Sequence, residues 1–214
     1  MTQQHDGQTV LFTIGHSTHE WSAFAALLQQ HGVTAVADVR SSPFSRFTPQ
    51  FNRDMLTQSL KNERIAYVFL GRELGARRSE PECYVDRQAR YELIQQSPLF
   101  NEGLERLRGG LRDHRIALLC AEKDPITCHR MVLVCRALRG DPIVIQHILE
   151  DGTLESNAEA EKRMHKATGV PETALTAPPE DLIEEAYKRQ GRKIAWVESE
   201  EPQSDVLTPS KFGE

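Results

Sequence analysis

The sequence lacks long hydrophobic runs and any excess of positive charge. No stretch approaches the roughly 18 uninterrupted apolar residues that a membrane-spanning helix requires, so we expect no membrane segment. The N-terminal residues MTQQHDGQTV contain neither the basic region nor the apolar core of a secretion signal, which predicts a cytoplasmic protein. The formal net charge of −5 disfavours non-specific attraction to nucleic acid or anionic lipid. An anionic partner would therefore need a local cluster of cations.

Cysteine is also scarce, with four residues in a chain of 214. So few unevenly spaced cysteines do not make a disulfide framework, and a reducing compartment keeps them as thiols. Any function they have is that of thiol, thiolate or metal ligand. Apolar residues make up 39% of the chain, which suffices for one sizeable core. We therefore expect one domain with an extension rather than two domains.

Arginine, by contrast, is concentrated in one part of the chain. Residues 40–90 contain nine arginines but only one lysine, Lys61. The planar guanidinium suits phosphate and carboxylate, so some of these arginines are expected to bind an anion and the others to form an ordinary solvated surface. The nine are Arg40, Arg46, Arg53, Arg64, Arg72, Arg77, Arg78, Arg87 and Arg90.

Short apolar runs alternate with segments of helical spacing along the chain. Runs rich in β-forming residues predict five strands, at 10–15, 33–39, 65–70, 115–120 and 142–149. Helical spacing predicts helices around 21–28, 52–63, 86–96, 98–109 and 125–140, the first of them capped by Ser17 or Thr18. This alternation predicts an α/β fold with a mostly parallel open sheet and helices on both faces, a Rossmann-like three-layer sandwich.

The composition changes after about Gly169. Residues 9–168 form the predicted α/β domain, and residues 169–198 predict a Pro-rich connector with one amphipathic helix as a C-terminal extension. This helix could cover the sheet edge, pack elsewhere or recruit a partner. The polar segments 1–8 and 199–214 predict disordered tails.

Polar and reactive side chains follow four of the predicted strands. In a parallel sheet the carboxyl ends of the strands lie along one edge, and ligands bind in the crevice outside that edge. Loops are often polar for solubility alone, but loops on a rigid scaffold also carry function disproportionately. We therefore expect one site there, built from His16, Ser17, Asp38, Arg40, Ser42, Ser45, Arg46, Arg72, Tyr84, Cys120, Glu122, Cys128, His129 and Arg130.

Four of these segments together resemble one known family. TIGHS, DVRSSPFSR, LGRELGARR and LLCAEKDPITCHR are similar to motifs of the domain of unknown function 488 family, over roughly residues 9–168. The resemblance implies an α/β sheet fold and a candidate site, without implying a reaction. The third segment departs from the family pattern, because Ala76 follows Gly75 where the family has a glycine pair.

The segment LLCAEKDPITCHR carries the residues that indicate thiol chemistry. Asp124 followed by Pro125 is a typical helix start and places Cys128 in or near the first helical turn. Unpaired backbone N–H groups and the helix dipole favour a thiolate there, and His129 and Arg130 add positive charge. Cys128 is therefore the candidate nucleophile.

Other residues are candidates for supporting this thiol. Cys120 ends the preceding strand and becomes a partner thiol if the two sulfurs approach each other, or else a small buried strand residue. Glu122 or His16 is a candidate general acid or base, although Glu122 could equally pair with an arginine. Cys135 lies among apolar residues and is expected in the core, and Cys83 has no evident partner.

The loop after the second strand is the candidate for binding substrate. Asp38 and Arg40 point to the same face of the strand and could pair with each other. In the loop SSPFSR, Phe44 lies among serines beside Arg46, which suits a base or sugar ligand. Arg40, Arg46 and Arg130 are the arginines expected to hold an anion.

A metal site is the alternative use of the cysteines. Cys120, Cys128 and His129, with His16 as a further ligand, could in principle bind zinc. The short C-x2-4-C spacing of zinc sites is absent, and neighbouring Cys128 and His129 would point about 100° apart on a helix. The prediction is therefore no metal and no cofactor.

These patterns favour a cysteine-dependent enzyme. It would transfer a sulfur or acyl group, or hydrolyse, and its substrate would be a small anionic molecule, with nucleotides included. The alternatives are a noncatalytic module that binds a nucleotide or a nucleic-acid end, and a metal-binding site at Cys120 and Cys128. Neither the physiological substrate nor the oligomeric state follows from the sequence.

Overall fold

The computed structural model describes residues 8–198. A six-stranded sheet with the order β3-β2-β6-β1-β7-β8 forms its centre, and the small hairpin β4-β5 lies apart from it. All neighbours in the large sheet are parallel except β7 and β8, which are antiparallel. The predicted mostly parallel sheet is thus confirmed. The strands are β1 (Thr9–Gly15), β2 (Ala35–Asp38), β3 (Ala66–Phe69), β4 (Tyr84–Val85), β5 (Gln88–Ala89), β6 (Ile116–Cys120), β7 (Ile143–Ile148) and β8 (Leu154–Ser156).

Helices cover both faces of the large sheet, as predicted. Successive strand residues point to opposite faces, so Leu11 belongs to one apolar cluster and Phe12 to another. The Leu11 cluster includes residues of the helices over 98–110, 157–168 and 179–194, and the Phe12 cluster includes residues of the helices over 21–30 and 53–62. The helices are α1 (Trp21–Gln30), α2 (Arg53–Asn62), α3 (Gly71–Leu74), α4 (Tyr91–Ile94), α5 (Pro98–Gly110), α6 (Asn157–Thr168) and α7 (Pro179–Ile194). Short 3-10 turns lie at Pro49–Phe51, Pro81–Cys83 and Pro125–Thr127, and a π-helix lies at Arg130–Cys135.

The C-terminal helix α7 packs against the α/β core. Tyr187 is fully buried in the Leu11 cluster, and its hydroxyl donates to the carboxylate of Glu161 at 2.8 Å. The chain after α7 then joins the small hairpin, because Val197 forms an antiparallel bridge with Gln88 and the Trp196 carbonyl accepts from the N–H of Ala89 at 2.8 Å. The C-terminal segment is thereby held across the hairpin.

Residues 1–7 and 199–214 lie outside the described part of the chain, and these ranges include nearly all of the predicted disordered tails. Within residues 8–198, none of the helices combines the length and the apolar character needed to cross a bilayer.

The predicted helix around 86–96 was wrong in its first half. Asp86 and Arg87 both have positive φ, 49° and 62°, which is the backbone of a tight two-residue hairpin turn. The chain therefore forms β4 and β5 there before the single turn of α4 begins at Tyr91. Asp86 suits the first position of this turn, but Arg87 occupies the second position, where glycine is usual.

The structure also differs from the sequence predictions at the starts of two helices. The N-cap of α1 is Glu20, with no side-chain capping bond, and not Ser17 or Thr18. Helix α6 was not predicted at all, although Ser156 and Glu159 form a reciprocal capping box at its start. The spacing of these two residues is a recognised helix signal and could have revealed it.

Candidate functional site

The carboxyl edge of the sheet is built around β6, which lies between β2 and β1. The backbone pairing continues past the strand ends, because the N–H of His16 donates to the carbonyl of Cys120 at 2.9 Å, and that of Ser17 to the carbonyl of Ala121 at 2.9 Å. Gly15 is required at this crossing, since a Cβ atom there would lie 1.9 Å from the carbonyl oxygen of Glu122. The segment TIGHS thus allows the loop after β6 to approach β1 closely.

Cys120, Glu122, Cys128 and His129 form one cluster at this edge, called here the Cys-Glu-Cys-His cluster. One sulfur, oxygen or nitrogen atom from each side chain lies within 4.8 Å of all the others. The thiols of Cys120 and Cys128 both donate to Oε2 of Glu122, at 2.9 and 3.0 Å. Nδ1 of His129 lies 3.5 Å from the sulfur of Cys120. The four predicted catalytic residues are therefore brought together.

The backbone around Cys128 differs from the predicted helix over 125–140. Pro125–Thr127 is a single 3-10 turn, capped by the carboxylate of Asp124, and Cys128 is extended with φ −129° and ψ 140°. The Cys128 carbonyl accepts from the N–H of Val132 at 3.0 Å, and its sulfur accepts from the N–H of Arg130 at 3.4 Å. Cys128 therefore precedes the helical residues instead of lying in their first turn.

This backbone corrects the sequence argument that Cys128 and His129 must point apart. That argument assumed that both residues are helical, whereas Cys128 is extended. As a result, the Cys128 sulfur and the His129 imidazole both reach the cluster. Nε2 of His129 lies 2.9 Å from the carbonyl oxygen of Val39. Because a carbonyl only accepts hydrogen bonds, Nε2 carries the proton of this bond and Nδ1 is the nitrogen that faces the sulfurs.

Burial and neighbouring charges act differently on the two thiols. Burial raises the pKa of the Cys120 thiol well above its ordinary value. Burial acts in the same direction on Cys128, but the hydrogen bond with Cys120, the Arg130 guanidinium and His129 together hold the pKa of Cys128 well below the ordinary value. Of the two thiols, Cys128 therefore gives up its proton more readily.

The other two members of the cluster hold protons more strongly than usual. Glu122 is exposed as a residue, yet its carboxylate turns towards the sulfurs, and partial burial together with the Cys128 charge raises the pKa of Glu122. Burial alone lowers the pKa of His129, but the bond to Cys128 and its charge outweigh burial and raise it. The cluster thus places the more acidic thiol, that of Cys128, beside groups that can give and take a proton.

Arg130 is fully buried and fixes the loop that carries the cluster. Its guanidinium donates to the backbone carbonyls of Glu122 and Lys123, and its Nε donates to the hydroxyl of Thr13 at 3.3 Å. These bonds tie the loop after β6 to the middle of β1. Arg130 therefore lies behind the cluster, in contact with backbone, and not where a substrate would bind.

Asp38 and Arg40 pair with each other, as predicted. Nε and Nη2 of Arg40 donate to the two carboxylate oxygens of Asp38 at 2.9 and 2.6 Å. Nη1 donates to Nε2 of His16 at 3.1 Å, and Nδ1 of His16 donates to the Ser17 carbonyl at 2.9 Å. Burial and the Arg40 charge lower the pKa of His16 to about 4. His16 is therefore neutral with both nitrogens engaged, which leaves it without a free base atom.

A cavity of about 220 Å³ lies directly beside the cluster. Of the residues predicted for the site, Arg40, Ser42, Cys120, Glu122 and His129 line it, whereas Cys128 does not. Several lining residues were not predicted as site residues. They are Ser41, Ala76, Arg77, Tyr91, Ala121, Thr127, Ile194 and Trp196.

Arg77 and Trp196 form one wall of the cavity. Arg77 is one of the nine arginines noted in the sequence, whereas Trp196 was not expected there. The guanidinium carbon of Arg77 lies 3.7 Å from the centre of the Trp196 ring, a close cation–π arrangement. The backbone N–H of Arg77 also donates to the hydroxyl of Ser41 at 3.0 Å. No carboxylate within residues 8–198 forms an ion pair with Arg77. The C-terminal segment thus covers part of the crevice. The sequence alone did not decide between this position and the alternatives.

The remaining predicted site residues lie away from the cavity wall. The hydroxyl of Ser45 accepts from the N–H of Phe47 at 3.1 Å, and the exposed Arg46 stacks on the Phe47 ring at 4.9 Å. Arg72 is exposed in α3, and the hydroxyl of Tyr84 donates to the carbonyl of Arg78 at 2.8 Å. Local turn formation and packing therefore account for these side chains.

Comparison with known protein families identified a match. A family profile described as "Domain of unknown function DUF488" matches residues 20–137, which is more than half of the chain. This range contains the segments DVRSSPFSR, LGRELGARR and LLCAEKDPITCHR, whereas TIGHS precedes it. No curated protein and no solved structure matched the chain.

Proposed function

The chain belongs to the DUF488 family, and we propose that it is a cysteine-dependent enzyme whose reaction takes place where the Cys-Glu-Cys-His cluster meets the cavity. One observation carries this proposal: two thiols donate to the same carboxylate oxygen, at 2.9 and 3.0 Å, beside a cavity with arginines in its wall. A thiol, a base and a binding cavity within contact of one another are what nucleophilic catalysis requires.

The position of the cavity favours Cys120 as the attacking sulfur. Cys120 lines the cavity and Cys128 does not, so a substrate meets Cys120 first. We therefore assign Cys128 the role of partner, which reverses the roles expected from the sequence. When Cys128 is ionised, its negative charge raises the pKa of Glu122 and so favours proton transfer to that carboxylate.

The chemical step transfers one proton and no net electrons. The Cys120 S–H proton passes to Oε2 of Glu122, while the sulfur forms a bond to an electrophilic acyl carbon or sulfur atom of the substrate. The bond to the leaving group breaks, and protonated Glu122 returns the proton to that group. Attack of water or a second nucleophile on the Cys120 adduct then completes hydrolysis or transfer.

Two guanidinium groups support an anionic substrate in this cavity. Arg77 has its charge available, and Arg40 lies in the wall although most of its donors are engaged with Asp38 and His16. Arginine groups at the wall of a concave site attract carboxylate or phosphate. The proposed substrate is accordingly a small anionic acyl or sulfur compound, nucleotides included.

Alkylation of the native protein tests the proposal. Iodoacetamide is applied at neutral pH in the presence of a chelator, and peptide mass spectrometry identifies the modified cysteines. We expect modification of Cys120, lost in Cys120→Ser, with Cys83 and Cys135 unmodified because both are buried away from the cavity. Cys135→Ser is the matched control and should be alkylated like the wild type. If neither Cys120 nor Cys128 is modified in the native state, the proposed enzyme has no reactive nucleophile and the proposal is wrong.

A thermal-shift panel separates the enzyme from a noncatalytic binding module. The panel contains inorganic phosphate, nucleotides, thiol metabolites and short single-stranded nucleic acid, and a bound ligand raises Tm by mass action. Stabilisation by a compound that is also converted supports the enzyme. Stabilisation by a nucleotide or a nucleic-acid end, with no turnover and with Cys120 unreactive, would support a binding module instead.

A further inference from the structure

We propose that Cys120, Glu122, Cys128 and His129 bind a soft divalent cation of the zinc type, through two sulfurs, one carboxylate oxygen and one imidazole nitrogen. The four atoms lie within 4.8 Å of one another. Zinc sites in proteins use these donor types, with four ligands arranged tetrahedrally. The proposed site therefore matches zinc in donor chemistry and in number of ligands.

The hydrogen bond from His129 to Val39 prepares the imidazole for a metal. Nε2 of His129 donates to the Val39 carbonyl at 2.9 Å, which leaves the lone pair of Nδ1 towards the sulfurs. Metal-bound histidines usually donate their other ring N–H to a carbonyl or carboxylate, and this bond fixes the tautomer and the ring orientation. His129 already has this arrangement.

The backbone around Cys128 provides the second independent feature. The N–H of Arg130 points at the Cys128 sulfur at 3.4 Å, and an N–H···S bond of this kind stabilises a ligating thiolate. Cys120 and Cys128 are too far apart in sequence to form a short zinc clip. The fold brings the two cysteines together instead, because Arg130 ties the intervening loop to β1.

The charges and protons balance for a divalent cation. Two thiolates and one carboxylate bring three negative charges, so the bound cation leaves one negative charge in the cluster. The buried guanidinium of Arg130 lies against the backbone of Glu122 and offsets this charge. Binding displaces the thiol protons of Cys120 and Cys128 to solvent, with no oxidation or reduction.

This inference rests on the same cluster as the proposed function and specifies its regulation. A chain with the cation bound has both sulfurs occupied as ligands, so Cys120 cannot attack a substrate at the cavity. The metal-bound and metal-free chains are then two exclusive states, one closed to thiol chemistry and one open to it.

Metal binding is measured on the full chain after chelator treatment and dialysis. Zinc is added in equilibrium dialysis with elemental analysis, and cobalt(II) is added in parallel because thiolate ligation gives intense near-ultraviolet absorption. We expect one zinc per chain and thiolate bands with cobalt. Cys128→Ser and His129→Ala should weaken zinc binding by at least about tenfold. Cys83→Ser and Cys135→Ser should bind as the wild type does, since neither residue belongs to the cluster.

Three outcomes decide the inference independently of catalysis. A stoichiometry well below one zinc ion per chain, or a cobalt spectrum without thiolate bands, would overturn the inference. Undiminished zinc binding by a Cys120→Ser, Cys128→Ser double variant would overturn it as well. If these variants do not fold, the wild type decides: stoichiometric zinc with thiolate–cobalt bands supports the site even when Cys120 proves unreactive towards iodoacetamide. Where Cys120 is reactive, zinc must also abolish its alkylation.

Discussion

The buried carboxylate of Asp38 accepts two hydrogen bonds from the guanidinium of Arg40, at 2.9 and 2.6 Å. The same carboxylate accepts from the hydroxyl of Tyr67 at 2.9 Å, and Arg40 also donates to the Phe51 carbonyl at 2.9 Å. Arg40 is therefore held in place by the protein itself. Its contribution to the cavity is a positively charged part of the wall.

Replacing Asp38 by Asn leaves the buried Arg40 charge without its partner. Removing one partner of a buried ion pair typically costs about 3–5 kcal/mol, and we expect a loss of unfolding free energy of that size in urea denaturation. Asp54→Asn is the control, because Asp54 is exposed in α2 and should change stability by less than about 0.5 kcal/mol. Similar stabilities of the two variants would show that the pair is not buried as described.

The stability of the protein should fall in mild acid through His147. This residue is fully buried beside Thr13, and burial together with the Arg130 charge lowers the pKa of His147 to about 3. In the unfolded chain the pKa of a histidine is about 6.5. His147 therefore binds a proton in the unfolded state but not in the folded state. The free energy of unfolding falls as the pH decreases below the pKa of the unfolded state.

The expected loss from His147 is about 2 kcal/mol between pH 7 and pH 5. Urea denaturation at both pH values measures it, with His147→Asn as the matched variant that cannot titrate. The wild type should lose more stability than the variant over this interval. An equal loss in both proteins would mean that His147 is not held neutral in the folded state.

Arg77 should make the cavity selective for anionic reagents. Iodoacetate is negatively charged and iodoacetamide is neutral, while both alkylate a thiol in the same way. Arg77→Gln should lower the alkylation rate of Cys120 by iodoacetate relative to iodoacetamide by about threefold, because a solvated ion pair contributes up to about 1 kcal/mol. The two rates are measured by quantitative peptide mass spectrometry.

Arg112→Gln is the control for Arg77→Gln, since Arg112 is exposed on the turn before β6, at the opposite edge of the sheet. It removes the same charge from the chain and should leave the ratio of the two rates unchanged. Equal effects of both substitutions would indicate a general field of the protein and no specific role of Arg77.

The sheet and its reactive edge could be predicted because their signals are local. Each parallel strand is a short apolar run of β-forming residues, and the parallel arrangement brings the strand ends to one edge. This reasoning correctly brought Cys120, Glu122, Cys128 and His129 together. It also predicted the pairing of Asp38 with Arg40 from the two-residue period of a strand.

The details that decide the chemistry depend on contacts between distant segments. Cys128 is extended in a loop whose shape is fixed by bonds of the buried Arg130 to backbone carbonyls and to Thr13. Charged side chains are rarely buried, so the sequence suggested a substrate ligand instead. Trp196 reaches the cavity only because the chain after α7 pairs with the β4-β5 hairpin, which has no local signal.

The central claim, that the sulfurs of Cys120 and Cys128 share one site open to the cavity, is tested most directly by mild oxidation of the metal-free native protein. Hydrogen peroxide is small enough to enter the cavity and converts a thiol to a sulfenic acid, which condenses with a neighbouring thiol to a disulfide and water. Peptide mapping without reduction should find Cys120 joined to Cys128, with Cys83 and Cys135 still free. A disulfide that joins either sulfur to Cys83 or Cys135, or four thiols left unoxidised, would contradict the account.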